Sequence, residues 1–178
     1  VQHELLGLGR DVWPARVPLA AVPDRQVGRF VVRPSPHGTY STAPDLIRAA
    51  CRPGRVPASI HLSEDPHEAA FTERGEGPFA AFVDALGLDW RPWVPPGCSP
   101  AASLDRLGVL GPGLLVVHGV WLTDDDRRLL RDRGSPLALC PRSNLHIGGR
   151  LPDVPALLAD GVDLCLGTDS PASCPDLD

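Results

Sequence analysis

The 178-residue chain reads as an α/β protein built on a parallel sheet. From residue 29 onward, short apolar runs alternate with stretches of helical spacing. The runs lack the polar alternation of a strand with one wet face, as strands covered by helices on both sides do. No linker or low-complexity stretch interrupts them.

The first run, RFVVRP (29–34), leads into SPHGTY, and STAPDLIRAAC (41–51) follows with capping Ser/Thr and a proline in the first turn of a helix. PASIHL (57–62) is the second strand, and EDPHEAAFTERG (64–75) a helix closed by glycine. PFAAFVDALG (78–87) is helical and runs into the proline-rich loop WRPWVPPGCSP (90–100). A short helix, AASLDRLG (101–108), precedes LLVVH (114–118), the third strand. TDDDRRLLRDRG (123–134) carries acids at its start and arginines at its end, which favours a helix through its dipole. PLALC (136–140), DVPALLADG (153–161) and VDLCLG (162–167) read as strand, helix and strand. Residues 1–28, with prolines at 14, 18 and 23, are expected to be a loop-rich lead-in to a single unit spanning 29–178.

Composition narrows the function classes. Apolar residues make up 43% and charged residues 22%, the balance of a soluble globular protein. A net charge of −5, with arginines scattered among acids, leaves no basic footprint for nucleic acid. No apolar run is long enough to span a bilayer, and no leader opens the chain, so no membrane partner is expected. Five cysteines, none in a C-x-x-C arrangement, exclude a zinc ribbon and fit a reducing, cytoplasmic setting. There is no methionine, so the chain is expected to be part of something longer. There is no lysine either, which excludes Schiff-base or carboxylated-lysine chemistry from these residues.

The residue just past each apolar run is chemically competent. The first run ends near His37, the second at His61 with Glu64 three residues on, and the third at His118. The fourth leads to Ser143 and Asn144, the fifth to Asp169. In a parallel array these ends converge on one face. Imidazole and carboxylate together suit one divalent metal, Zn2+ or Fe2+. A carboxylate beside the metal water that is not itself a ligand accepts and returns protons, and Glu64 is the candidate. His67 is expected on the surface of a helix. His146, on the loop after the fourth strand, is a weaker candidate for the substrate side.

SPHGTYSTAP, IHLSED, VVHGV, CPRSNLHIGG and LGTDSPAS, in this order, resemble the amidohydrolase superfamily. The similar branch contains the adenosine, S-adenosylhomocysteine and aminofutalosine deaminases, with guanine deaminase and the triazine hydrolases nearby. FTERGEGPF, the WRPWVPPGCSP loop and CPRSN look most like the aminofutalosine deaminases. The resemblance implies a (β/α)8 TIM-type barrel of which only the C-terminal part, about five βα units (strands 4–8), is present. It implies His61 and Asp169 as metal ligands, Glu64 as proton shuttle, and His118 and Asp169 holding the attacking water. His37, Ser143, Asn144 and Trp93 would face the substrate, with Trp90 and Trp93 on a lid. The family draws two further ligands from a His-x-His motif, which this sequence lacks.

The function so implied is hydrolytic deamination of an aminated purine nucleoside, aminofutalosine or another adenosine derivative, with release of ammonia. Its rivals keep the site and change the leaving group, as in a triazine-type chlorohydrolase or a guanine or cytosine deaminase. A further rival is an inactive partial barrel. The expected partner is a small-molecule substrate, and exposed sheet edges in an open half-barrel favour a homo-oligomer.

Overall fold

The structure, a computed structural model, describes residues 1–51, 58–93 and 95–175. Strand β1 (Gln2–Leu5) and helix α1 (Trp13–Ala20) come first, then β2 (Arg25–Val27), β3 (Phe30–Pro36), α2 (Pro44–Ala50) and β4 (Ala58–Leu62). Helices α3 (Glu68–Arg74), α4 (Pro78–Ala85) and α5 (Pro100–Arg106) lead to β5 (Leu114–His118), α6 (Asp124–Arg133) and β6 (Leu137–Leu139). Helices α7 (Pro141–Gly148) and α8 (Val154–Asp160) and strand β7 (Leu164–Leu166) follow. Each of the five expected strands is present, as β3 to β7. Pro57, at the head of the second, Val94 in the proline-rich loop and residues 176–178 lie outside the described residues.

Helix α6 shows why these stretches were readable. Thr123 Oγ1 accepts the Asp126 N–H and Asp126 Oδ2 accepts the Thr123 N–H, a reciprocal capping box. Gly134 ends the helix in the left-handed conformation that glycine adopts without a Cβ penalty.

Two regions differ from expectation. Residues 1–28 hold β1, α1 and β2 rather than loop. Pro14 sits in the first turn of α1, where its missing N–H costs nothing, and Pro18 removes a single bond two residues before the helix ends. Residues 141–148, read as loop, form α7, with Pro141 at its first position.

The sheet places the site. β1 pairs in parallel with β3, and β2 folds back on β3 as a hairpin turning at Gly28 and Arg29. β4, β5, β6 and β7 pair in parallel in chain order. Where β3 meets β4, a side chain takes the place of part of the backbone ladder. Buried Ser35 Oγ accepts the Ser59 N–H at 2.8 Å and donates to the Ser59 carbonyl at 2.6 Å. Further along, the His61 N–H donates to the His37 carbonyl at 2.9 Å. Among the described residues no pairing joins β7 back to β1, so the sheet is open.

Strand periodicity then sorts the two faces. Ala58, Ile60 and Leu62 of β4, Leu114 and Val116 of β5, and Leu137 and Leu139 of β6 pack against Leu104, Leu130 and Leu157 of the helices. Full burial of each such side chain stabilises by about 1.5–3 kcal/mol. The alternate residues, Ser59, His61, Leu115, Val117 and Ala138, line a cavity on the other face. Among the described residues no helix is long and apolar enough to cross a membrane.

Ser35→Ala leaves the buried Ser59 N–H and carbonyl without their partner. Equilibrium urea unfolding should show a loss of about 1–3 kcal/mol, and Ser35→Thr, which keeps the hydroxyl, should lose less.

Candidate metal centre

Three donor atoms, one each from His61, His118 and Asp169, lie within 4.8 Å of one another at the mouths of β4, β5 and β7. Their neighbours determine which atom each offers. His61 Nδ1 is 2.7 Å from the His37 carbonyl, which only accepts, so Nδ1 carries a proton and Nε2 is the nitrogen left to act as a ligand. His118 Nδ1 is 2.8 Å from Asn144 Oδ1, so the same tautomer follows. His118 is fully buried, and its Nε2 has no hydrogen-bond partner among the described residues. Two imidazole lone pairs and a carboxylate facing one point are a donor set suited to Zn2+ or Fe2+, and a second hydrogen bond on each ring is how such ligands are oriented.

Asp169 Oδ2 accepts the Ser143 hydroxyl at 2.7 Å and the Ser173 hydroxyl at 2.8 Å. Burial alone raises the Asp169 carboxyl, but these two donors, His118 and the Ser170 N–H outweigh it and hold the group below its ordinary range. Asp169 therefore stands ionised at neutral pH.

Strand alternation by itself would point His118 into the helix-side core with Leu114 and Val116. Instead His118 lines the cavity, with φ +78°. Ser63, just past β4, has φ +51°, and Asp169 has φ +62°. These are the described non-glycine residues at positive φ, and all three lie beside the donor cluster. Such backbone costs about 1–3 kcal/mol each and persists only where its surroundings impose it.

The cavity, about 630 Å³, is lined by His37, His61, Glu64, His118, Asp169 and Glu4 among others. Glu64 is half-buried, its Oε1 is 3.4 Å from His118 Nδ1, and that oxygen has no hydrogen-bond partner among the described residues. Burial pushes its carboxyl up, against the pull of His118 and His61. The His37 ring lies 4.7 Å from that of His61, its Nδ1 bonded to Ser41 Oγ at 2.7 Å, and burial together with His61 lowers its pKa. A neutral imidazole results.

Three residues expected at the substrate lie elsewhere. Ser143 and Asn144 are on α7, buried to 0% and 1% exposure, and they hold Asp169 and His118 rather than line the cavity. Trp93 is buried in a separate apolar cluster, stacked on Phe71 at 4.6 Å, because α3 and α4 offer it an aromatic surface. Trp90 packs there too and donates its Nε1–H to Asp84. His146 is exposed on α7, and His67 is exposed at the head of α3 and bonded to Asp65. Glu4, whose carboxylate is 3.6 Å from His61 Nε2, carries no signal in the sequence, because QHEL does not read as a strand. Ser173 carries none either, being one of several serines in a loop with no spacing to distinguish it.

The sequence profile of the amidohydrolase family matches residues 18–178. The chain belongs to the amidohydrolase family. It is 35% identical over 149 residues to aminodeoxyfutalosine deaminase of Deinococcus radiodurans, a match covering 78% of this chain and 35% of that protein. It is 35% identical over 147 residues to 5-methylthioadenosine/S-adenosylhomocysteine deaminase of Syntrophobacter fumaroxidans, covering 80% and 29%. The chain therefore spans about a third of the length of the curated relatives it matches. Among solved structures, an adenosine deaminase from Xanthomonas campestris with bound zinc superposes with a TM-score of 0.68 at 25% identity, covering 100% of this chain and 38% of that one. Helicobacter pylori aminofutalosine deaminase superposes with a TM-score of 0.70 at 18% identity, covering 96% and 44%, a likeness of fold. The expected family is thus established on the strands that carry the donor cluster.

Asn144→Ala should free the His118 ring to rotate. In the full-length protein, zinc retention measured by competition with a chromogenic chelator is expected to weaken by about 10–100-fold, the usual effect of removing a partner that orients a metal-bound histidine.

Proposed function

We propose that this chain carries part of the catalytic site of a metal-dependent hydrolase that deaminates an aminated purine nucleoside, aminofutalosine or another adenosine derivative, and releases ammonia. On this reading it is the C-terminal part of a (β/α)8 barrel, and the His-x-His pair lies on residues outside this chain. The observation that carries the proposal is the cluster of donor atoms from His61, His118 and Asp169 within 4.8 Å of one another. His118 Nε2 is buried with no hydrogen-bond partner among the described residues, and the Glu64 carboxylate lies beside the His118 ring. Similarity to relatives named as deaminases of adenosine derivatives supports the substrate class.

His61, His118 and Asp169 would hold one divalent cation, Zn2+ or Fe2+. Bound there, it would supply the Lewis acidity that brings water to a pKa near neutrality. The remaining work falls to the chain. Glu64, with its carboxyl raised by burial, takes the proton of the attacking water. It delivers that proton to the ring nitrogen beside the carbon that bears the amino group. A second proton passes by the same route to the departing amine, so that water and the aminopurine become the oxopurine and ammonia. His37, kept neutral at the cavity wall, offers its remaining nitrogen to the substrate. Asp169, kept ionised by Ser143 and Ser173, stays free to accept a hydrogen bond from the water. The five cysteines of the chain are free thiols, which supports a reducing, cytoplasmic setting. We also propose that the protein assembles as a homo-oligomer.

Ammonia release by the full-length protein should be measured on adenosine, 5′-deoxyadenosine, methylthioadenosine and aminodeoxyfutalosine, with guanine, cytosine and a chlorotriazine alongside. Turnover confined to the adenosine derivatives is expected, and preference for the chlorotriazine would overturn the reading in favour of a chlorohydrolase. Glu64→Gln should lower kcat by about 10²–10⁴-fold, the range of general acid–base catalysis. Dialysis against a chelator should abolish turnover, and added Zn2+ or Fe2+ should restore it.

A further inference from the structure

One heavily hydrogen-bonded residue beside the cavity does not line it. Glu68, the first residue of α3, is 1% exposed. Its Oε2 accepts the Ser63 N–H at 2.8 Å, and its Oε1 accepts the N–H groups of Glu64 at 2.7 Å and Asp65 at 3.2 Å. The Asp65 contact is the three-residue reach of a helix capping its own start, but the Ser63 and Glu64 N–H groups lie further back, in the turn between β4 and α3. Thr72 Oγ1 donates to the Glu68 carbonyl at 3.1 Å, and Phe71 fixes α3 in the aromatic cluster. The anchor is therefore rigid.

From the other side, the Trp121 N–H donates to the Ser63 carbonyl at 2.8 Å, and the Gly119 N–H to the Leu62 carbonyl at 3.0 Å. The turn is clamped between α3 and the end of β5, with Ser63 held at φ +51°. That one positive φ departs from strand alternation and brings the Glu64 side chain to the cavity. Burial pushes the Glu68 carboxyl up to about 7, while the three N–H donors favour the ionised form that accepts all of them.

We propose that Glu68 is a positioning residue for catalysis, its buried carboxylate fixing the 63–65 backbone so that Glu64 meets the substrate-side water. This rests on the deaminase reading above, in which Glu64 is the proton carrier. A glutamine at position 68 has the same shape but one acceptor oxygen, and its NH2 would face a backbone donor. The turn would lose at least one bond and relax.

In the full-length enzyme acting on 5′-deoxyadenosine or whichever adenosine derivative it turns over, Glu68→Gln is expected to lower kcat by about 10–100-fold, the scale of an ångström-sized misplacement, with KM changed less than about 3-fold. In a Glu64→Gln background the same substitution should cost less than about 2-fold, because there is no proton carrier left to misplace. A purely structural role would lower activity equally in both backgrounds, and that additivity overturns the proposal. Amide hydrogen exchange gives a readout that needs no turnover. The 58–66 peptide should exchange faster in Glu68→Gln while a peptide over 154–161 is unchanged. Exchange that is unaltered at 58–66, or accelerated throughout, overturns it even if the enzyme proves to act on another substrate. If Glu68→Gln does not fold, Glu68→Asp, which keeps the charge at shorter reach, is read by the same exchange and additivity tests.

Discussion

The His37 carbonyl oxygen accepts two hydrogen bonds from one residue, the backbone N–H of His61 at 2.9 Å and its ring Nδ1–H at 2.7 Å. The first bond, with the Ser35 and Ser59 pair, is what joins β3 to β4. The second assigns the tautomer of His61 and leaves Nε2 as a donor. Sheet continuity and ligand geometry therefore share one acceptor. The ring cannot turn without giving up a bond at the place where the two halves of the sheet meet. His37 is held in turn through Ser41, so the constraint reaches back to the start of α2.

Strain at the site has the same magnitude as the bonds that hold it. Ser63, His118 and Asp169 each sit at positive φ, at about 1–3 kcal/mol apiece. Each is answered by hydrogen bonds from a neighbouring element. Glu68 and Trp121 hold the Ser63 backbone, Asn144 holds the His118 ring, and Ser143 and Ser173 hold the Asp169 carboxylate. Such bonds contribute about 0.5–1.5 kcal/mol net between neutral groups and about 1.5–3 where a carboxylate accepts, so they are of the same order as the strain and leave little over. Net stability has to come from the other face of the sheet, where Ile60, Leu62, Val116 and Leu137 pack on Leu104, Leu130 and Leu157. The two faces divide the labour, one apolar and stable, the other polar and strained.

That division decides how much could be read from residues alone. β4 and β5 were legible because one face is buried and the other only partly exposed, so ASIHL and LLVVH read as short, mainly apolar runs. α6 was legible because it is bounded chemically, by Thr123 with Asp126 at one end and Gly134 at the other. β1 was not, since QHEL has one apolar residue and takes its strand conformation from pairing with β3, a contact thirty residues away in sequence. α1 was hidden by prolines whose cost depends on where the first turn begins. α7 was hidden because Pro141, Ser143 and Asn144 favour a turn as readily as a helix start.

The same limit separates the groups at the cavity from the groups that hold them in place. His61, His118 and Asp169 stand out by position, because parallel strands end on one side, although His118 reaches the cavity only through its positive φ. Ser143 and Asn144, expected on the substrate side, lie under the cavity, because the first turn of α7 places them there where a loop could have turned them inward. Glu68 was not found at all. In sequence it is one more acid in the first turn of a helix, which the helix dipole alone would explain. Only its burial, and the direction of the three N–H groups it accepts, distinguish it from Asp124 or Asp125 in the first turn of α6. Burial of a first-turn carboxylate on donors from the preceding strand end is thus the mark to look for, since a surface acid serving the dipole has no reason to leave water.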